Sequence, residues 1–131
     1  MRVLAIDPGK ANGWAILEDG RLLDSGVADK EQLYSMLEAE DVEHVVYESY
    51  RLYATHSRQM IGDEFLTPQI IGVIQYICTK RGITFSEQPA TTKKFHSDAK
   101  LKEMGLYVPI DHRRDAIRHG LYYFRFGGGK E

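Results

Sequence analysis

Two acidic residues end apolar runs that have the length of buried strands. Asp7 closes the run at residues 2–7, and Glu48 closes the run at residues 43–48. If these strands are parallel neighbours, both carboxylates emerge at one edge of the sheet, where sites form in open α/β proteins. Adjacent carboxylates repel each other, and a divalent cation with oxygen ligands removes that cost. Each acid alone is also compatible with ordinary turn or surface chemistry.

The segment "DHRRDAIRHGLYYF" begins a predicted helix at residues 111–126 and supplies a third group of candidate ligands. His112 and Asp115 are three residues apart, so they share one helical face. His119 lies near them on that face and fits either the site or the surface. Asp111 fits a helix N-cap better than a ligand, although a ligand role stays open. The helix also carries a separate apolar stripe that can pack on the core.

Combined, these residues form a carboxylate-rich set with one imidazole. The predicted metal ligands and catalytic residues are Asp7, Glu48, His112 and Asp115. Such a set suits two Mg²⁺ or Mn²⁺ ions that clamp both sides of an in-line phosphodiester displacement. Asp7 would bridge the two ions, which explains why a buried strand ends in a carboxylate. The combination predicts a metal-dependent nuclease.

The elements that must position these ligands follow from hydrophobic periodicity and turn residues. Strands are predicted at residues 2–7, 13–18, 21–27, 43–48 and 83–86, and helices at 29–40, 67–81, 89–96, 97–104 and 111–126. The order predicts an α/β fold with a mixed sheet of five strands, in which an antiparallel meander is extended by parallel strands. Helices cover both faces. We predict one domain over residues 1–126 and a flexible tail at 127–131.

Composition limits the class of protein. The 131 residues are 43% hydrophobic, which suits one core, and no apolar run is long enough to span a membrane. Cys78 is the only cysteine, which excludes an intrachain disulfide and argues against a thiolate zinc site. These features favour a cytoplasmic protein with no membrane association.

The net charge of −2 conceals an uneven distribution. Residues 1–50 hold 4 Lys/Arg against 11 Asp/Glu, whereas residues 51–102 hold 8 against 4. Basic and aromatic side chains in this later part can bind phosphates and stack on unpaired bases. The predicted DNA-binding residues are Lys10, Tyr50, Arg51, Tyr53, Arg58, Lys93, Lys94 and Lys100. A packed loop after Glu48 and an ordinary lysine-rich surface remain the alternatives.

The chain resembles the RuvC-like Holliday junction resolvases of the RNase H-like superfamily, in particular the compact phage-type members. The resemblance rests on "LAIDPGKANGWAIL", "VVYESYRLY", "ITFSEQPATTKKF" and "DHRRDAIRHGLYY", which follow the family's order over nearly the whole chain. It implies an RNase H-like nuclease domain that cuts four-way DNA junctions as a homodimer, with two Mg²⁺ or Mn²⁺ ions per site and no nucleotide cofactor.

Carried over residue by residue, the resemblance places the family's acids at Asp7 and Glu48 and its final-helix ligands at His112 and Asp115. The family's basic residue after the fifth strand falls on Lys93, with Lys94 beside it. The segment after Glu48 departs from the family's pattern, so other branched DNA, such as forks and flaps, is a plausible substrate. The helix near residues 65–81 is a candidate dimer element, although its isoleucines fit the core equally well.

Three other functions remain open. A binding module on the same fold would hold junctions without cutting them. A nuclease for RNA–DNA hybrids would use the same site on another substrate. A phosphotransfer protein that uses ATP would need a second domain of this kind, which 131 residues cannot supply.

Overall fold

The structure, a computed structural model, describes residues 1–50 and 65–127. Five strands in this part form one mixed sheet with the order β3-β2-β1-β4-β5. The strands are β1 (Arg2–Asp7), β2 (Asn12–Glu18), β3 (Arg21–Ala28), β4 (His44–Glu48) and β5 (Thr84–Gln88). β1, β2 and β3 pair antiparallel, whereas β4 is parallel to both β1 and β5. The predicted meander extended by parallel strands is therefore confirmed.

Helices cover both faces of this sheet, as predicted. They are α1 (Lys30–Ala39), α2 (Leu66–Arg81), a 3₁₀ helix (Ala90–Phe95), α3 (Asp98–Glu103) and α4 (Asp111–Phe126). Asp29 caps α1, and Gly82 ends α2 in the left-handed conformation that favours glycine. In the described residues, no helix combines the length and the apolar character needed to cross a membrane.

The central strand β1 is buried on both faces because consecutive side chains point in opposite directions. Leu4 and Ile6 pack in the core under α1 and α2. Val3 and Ala5 pack in the second core, under α3 and α4. All four side chains are fully buried, so the apolar run before Asp7 is the buried strand that its length predicted.

Two boundaries differ from the sequence prediction in ways that matter for the site. β5 ends at Gln88 rather than at residue 86, because the polar residues after the apolar run still pair with β4. The N-cap of α4 is Ile110, so Asp111 is the first helical residue and not the cap. Asp111 is exposed and instead forms an ion pair with Arg114.

The isoleucines of α2 belong to the core of this chain. Ile70, Ile74 and Ile77 are buried against the sheet, and Ile71 packs partly against the same cluster. The opposite face of α2 is exposed and includes Tyr76. The buried isoleucines are therefore not available as a dimer surface, and the dimer itself stays a prediction.

Candidate active site at the sheet edge

Asp7 and Glu48 end neighbouring parallel strands. In the register of β1 and β4, Ile6 lies opposite Tyr47, so the next residue of each strand is one of the two acids. After Asp7 the chain turns tightly, and the Asn12 side chain accepts a hydrogen bond from the Gly9 amide at 2.9 Å. The buried amide nitrogen of Asn12 also donates to the Ala28 carbonyl oxygen, which ties the turn to β3. The turn therefore fixes the position of Asp7.

The start of α4 brings His112 to Asp7. His112 Nδ1 lies 3.1 Å from Asp7 Oδ2. This approach is possible because Gly13, the β2 partner of Asp7, has no side chain. A Cβ atom at Gly13 would lie 1.8 Å from the backbone oxygen of His112. Arg113 anchors the same turn of α4 by donating to Ser25 Oγ in β3 at 2.7 Å.

Lys93 connects the other two carboxylates. Its position follows from the 3₁₀ helix, whose first turn is closed when Thr92 donates from both its amide and its hydroxyl to the Pro89 carbonyl oxygen. Lys93 Nζ lies 2.9 Å from Glu48 Oε1 and 3.1 Å from Asp115 Oδ2. The lysine predicted as a phosphate contact is therefore a counter-ion of the site in this structure.

Asp115 has a second cationic partner in Arg118, one turn later on α4. Arg118 donates to Asp115 Oδ1 at 2.9 Å and to the His96 carbonyl oxygen at 2.6 Å. Arg118 also pairs with Asp98 at the start of α3. Arg118 thus binds the carboxylate oxygen of Asp115 that Lys93 does not contact.

The structure places His119 inside the protein, directly behind Glu48. Its Nε2 lies 2.9 Å from Glu48 Oε1, and its Nδ1 lies 3.0 Å from Gln88 Nε2. Gln88 Nε2 also donates to the backbone oxygen of His119, which identifies this atom as the amide nitrogen. Nδ1 must then accept this hydrogen bond. Nε2 therefore carries the ring proton and donates a hydrogen bond to Glu48.

Sequence reasoning placed His119 on the correct helical face but left its burial open, and it gave Gln88 no role. The sequence feature that could have identified Gln88 is its position in the polar pair, residues 87 and 88, that directly follows the predicted end of the fifth strand at residue 86. A strand that continues through this pair brings Gln88 under α4.

Asp7, Glu48 and Lys93 have pKa values shifted by burial and by their neighbours in the cluster. Burial, followed by the charge of Glu48, raises the pKa of Asp7 above its ordinary value, and the hydrogen bond with His112 offsets part of the rise. Burial alone would also raise the pKa of Glu48, but hydrogen bonds from His119 and Lys93 lower it overall. Burial opposes the charge of Lys93, whereas Glu48 and Asp115 outweigh this effect and raise its pKa. Lys93 is therefore held as an ammonium.

The donor chemistry fits a hard divalent cation, because three carboxylates and one imidazole meet at one sheet edge. Within residues 1–50 and 65–127, however, no three His, Cys, Asp or Glu side chains are grouped closely enough to hold one ion. Glu48 and Asp115 are joined through Lys93 instead. The predicted ligand residues thus lie at the predicted edge, with the ammonium of Lys93 between two of them.

A cleft of about 560 Å³ opens beside this cluster. Its described lining consists of Pro8, Glu48, Ser49, Tyr50, Thr67, Pro89, Ala90 and Thr91. The cleft is open to solvent at a carboxylate of the site. An extended ligand in it would reach Glu48 without rearrangement of the sheet.

The predicted DNA-binding residues lie in different parts of the structure. Tyr50 lines the cleft, and Lys10 is exposed three residues after Asp7. Lys94 is exposed on the 3₁₀ helix, with its Nζ 5.6 Å from the centre of the Phe95 ring, and Lys100 is half-buried in α3. Lys93 is the ion-pair partner of Glu48 and Asp115 described above, and Arg51, Tyr53 and Arg58 lie outside the described residues.

The arrangement of strands and helices is similar to that of solved proteins. No protein-family model and no curated protein matches the sequence. In structure, the chain is similar to T. thermophilus RuvC in complex with a Holliday junction substrate, with a TM-score of 0.74 and 17% identity. That match covers 97% of this chain and 96% of the other.

A second structure, of Thermus thermophilus RuvC, matches with a TM-score of 0.70 and 17% identity, over 97% of each chain. The chain has a RuvC-like fold. The predicted RNase H-like architecture is thereby confirmed, while the compact phage-type subtype stays a prediction. In this RuvC-like fold the four predicted ligands, Asp7, Glu48, His112 and Asp115, all lie at the carboxyl edge of the central strands.

Proposed function

We propose that this chain is a metal-dependent endonuclease for branched DNA, with four-way junctions as its main substrate. One observation carries the proposal: carboxylates from β1, β4 and α4 meet at the edge of a RuvC-like sheet, beside an open cleft. A carboxylate cluster of this kind is costly without bound cations, which is reflected in the raised pKa of Asp7.

Asp7, Glu48, Asp115 and His112 would hold two Mg²⁺ or Mn²⁺ ions. Bound there, the metal would lower the pKa of a water molecule and stabilise charge on the leaving oxygen of a phosphodiester. His119 orients Glu48 toward the site, and Arg118 orients Asp115. Tyr50 lines the cleft and is suited to stacking on a DNA base there, whereas the exposed ammonium of Lys10 is suited to binding a phosphate near Asp7.

Two finer features belong to the same proposal. A homodimer would present two equivalent sites to the symmetric strands of a junction, so that each subunit makes one of two nicks. The exposed face of α2 that includes Tyr76 is the surface of that helix still available for such contact. Forks and flaps are included as substrates, and we place the protein in the cytoplasm.

The test uses purified protein with a labelled immobile four-way junction, a fork, a flap, linear duplex and an RNA–DNA hybrid. Each substrate is incubated with Mg²⁺, Mn²⁺ or EDTA. Paired symmetric nicks in the junction that disappear with EDTA support the proposal. Preferential cutting of the hybrid would instead indicate a hybrid-directed nuclease.

A binding module without catalysis is the second candidate. It is favoured by Lys93, which neutralises Glu48 and Asp115 without any metal. Junction binding with no cleavage in either metal would support this candidate over the first.

A further inference from the structure

Lys93 contacts oxygen atoms of two of the predicted metal ligands, Glu48 and Asp115. Its ammonium bridges Glu48 Oε1 at 2.9 Å and Asp115 Oδ2 at 3.1 Å. The lysine side chain is 26% exposed, and the two carboxylates are about as enclosed, at 20% and 19%. Ion pairs this enclosed are only weakly screened by solvent and salt. The lysine is therefore a strong local competitor for any added cation.

Among the cationic side chains around the site, Lys93 differs from the others in the number of carboxylates that it contacts. Glu48 is also bound by His119, and Asp115 is also bound by Arg118, but each of those residues contacts only one of the three carboxylates. Among the described residues, Asp7 contacts His112 and does not form an ion pair with Lys93. Of the cations in the described part of the chain, Lys93 is the one that joins carboxylates from two different elements of the site.

We infer that Lys93 is the resident counter-ion of the metal-free site, and that a divalent cation must displace its ammonium from Glu48 and Asp115 in order to bind. The inference rests on the proposed function, since it assumes that these carboxylates bind metal. In this exchange the metal ion takes the place of the Lys93 ammonium at the two carboxylates, and the ammonium becomes free beside the site. A DNA phosphate entering the site needs such a charge, so metal loading and phosphate binding would be coupled through one side chain.

The exchange predicts a gain of metal affinity on removal of the lysine. An opposite charge at this distance changes the proton affinity of a carboxylate by about tenfold or more, and the same electrostatics apply to a metal ion. Lys93→Gln should therefore bind Mn²⁺ about tenfold more tightly than the wild type in calorimetric titrations without DNA. Lys93→Arg keeps the charge and should stay close to the wild type. Lys94→Gln is the matched control, because Lys94 is exposed and its ammonium lies over the Phe95 ring rather than at these carboxylates.

Thermal unfolding gives a second measurement that does not depend on catalysis. Metal-free Lys93→Gln should melt below the wild type, because two enclosed carboxylates lose their shared partner. Saturating Mn²⁺ should then raise its melting temperature by more than it raises that of the wild type. In NMR, the side-chain ammonium resonance of Lys93, assigned by its loss in Lys93→Arg, should shift when Mg²⁺ is added.

The outcomes separate this inference from the proposed function. If the wild type binds Mn²⁺ and Lys93→Gln binds it no more tightly, the exchange is wrong while the metal site stands. If neither protein binds Mn²⁺ at millimolar concentration, the metal-dependent function itself is wrong. Tighter binding by Lys94→Gln as well would show a general charge effect and would also overturn the specific role of Lys93.

Discussion

His119 Nε2 donates a hydrogen bond to Glu48 Oε1 over 2.9 Å, from a ring that is fully buried. Because Gln88 fixes the tautomer from the other side, the direction of this bond is set by the fold. A histidine that orients a carboxylate in this way resembles the outer-shell partners that tune metal ligands in enzymes.

His119→Leu should reduce the cleavage rate roughly 10- to 100-fold, the usual effect of removing an outer-shell partner. It should also lower the free energy of unfolding by about 1–3 kcal/mol, because the buried Gln88 amide loses an acceptor. Cleavage under single-turnover conditions and urea unfolding measure the two effects. His119→Gln keeps a group that can donate to Glu48 and should recover part of the rate. If both variants lose activity equally, His119 has only a structural role.

Asp7→Asn should separate activity from stability. Loss of a metal ligand should lower cleavage by more than about 100-fold, beyond the effect of an outer-shell partner. Stability should stay equal or rise, because burial and the charge of Glu48 both disfavour the ionised form of Asp7. Thermal melting and junction binding by electrophoretic mobility shift are the two controls. Normal cleavage by Asp7→Asn would remove this residue from the site.

Hydrophobic periodicity was sufficient to predict the strands of the sheet and the positions of Asp7 and Glu48. An acid that directly follows a buried strand can only lie at the edge of the sheet where that strand ends. The contacts of Lys93 could not be predicted in the same way. They depend on how the 3₁₀ helix packs against α4, which no local pattern encodes. His119 shows an intermediate case: helical spacing placed it on the correct face, but its partner Gln88 lies beyond the apolar run that marks β5.

Gly13→Ala should disrupt the site through the backbone. The added Cβ would lie 1.8 Å from the His112 oxygen, so β2 and the start of α4 must separate. We expect the free energy of unfolding to fall by about 3 kcal/mol or more, which is at or above the usual cost of overpacking a core. Gly72→Ala in α2 is the matched control: nothing lies within 4 Å of the added atom, and alanine favours a helix by about 1 kcal/mol. Denaturant unfolding of both variants should give changes of opposite sign.

Cys78 should be unreactive in the folded protein. Burial raises the pKa of its thiol to about 11, so little thiolate is present at pH 8. Ellman's reagent should therefore modify Cys78 only in urea, at the rate of a normal exposed thiol. Rapid modification of the native protein would show that the core around α2 opens readily.

Acidification should weaken the fold through His44. This side chain is 7% exposed, stacks on Tyr123 and makes hydrogen bonds to the hydroxyl groups of Thr84 and Ser86. Burial lowers its pKa below the ordinary 6.5, so the unfolded chain binds a proton more readily than the native state does. The stability that this difference provides is complete above about pH 6.5 and is lost as the pH falls through the native pKa.

The loss from His44 develops between pH 7.5 and the acidic end of this window, where the unfolded chain takes up a proton that the native state binds less readily. Urea unfolding of the wild type and of His44→Gln across the window measures it. The variant should show a shallower dependence on pH, while a slope of the same sign remains from His96, whose pKa is also lowered, first by burial. An identical slope in the two proteins would mean that protonated His44 is tolerated in the native core.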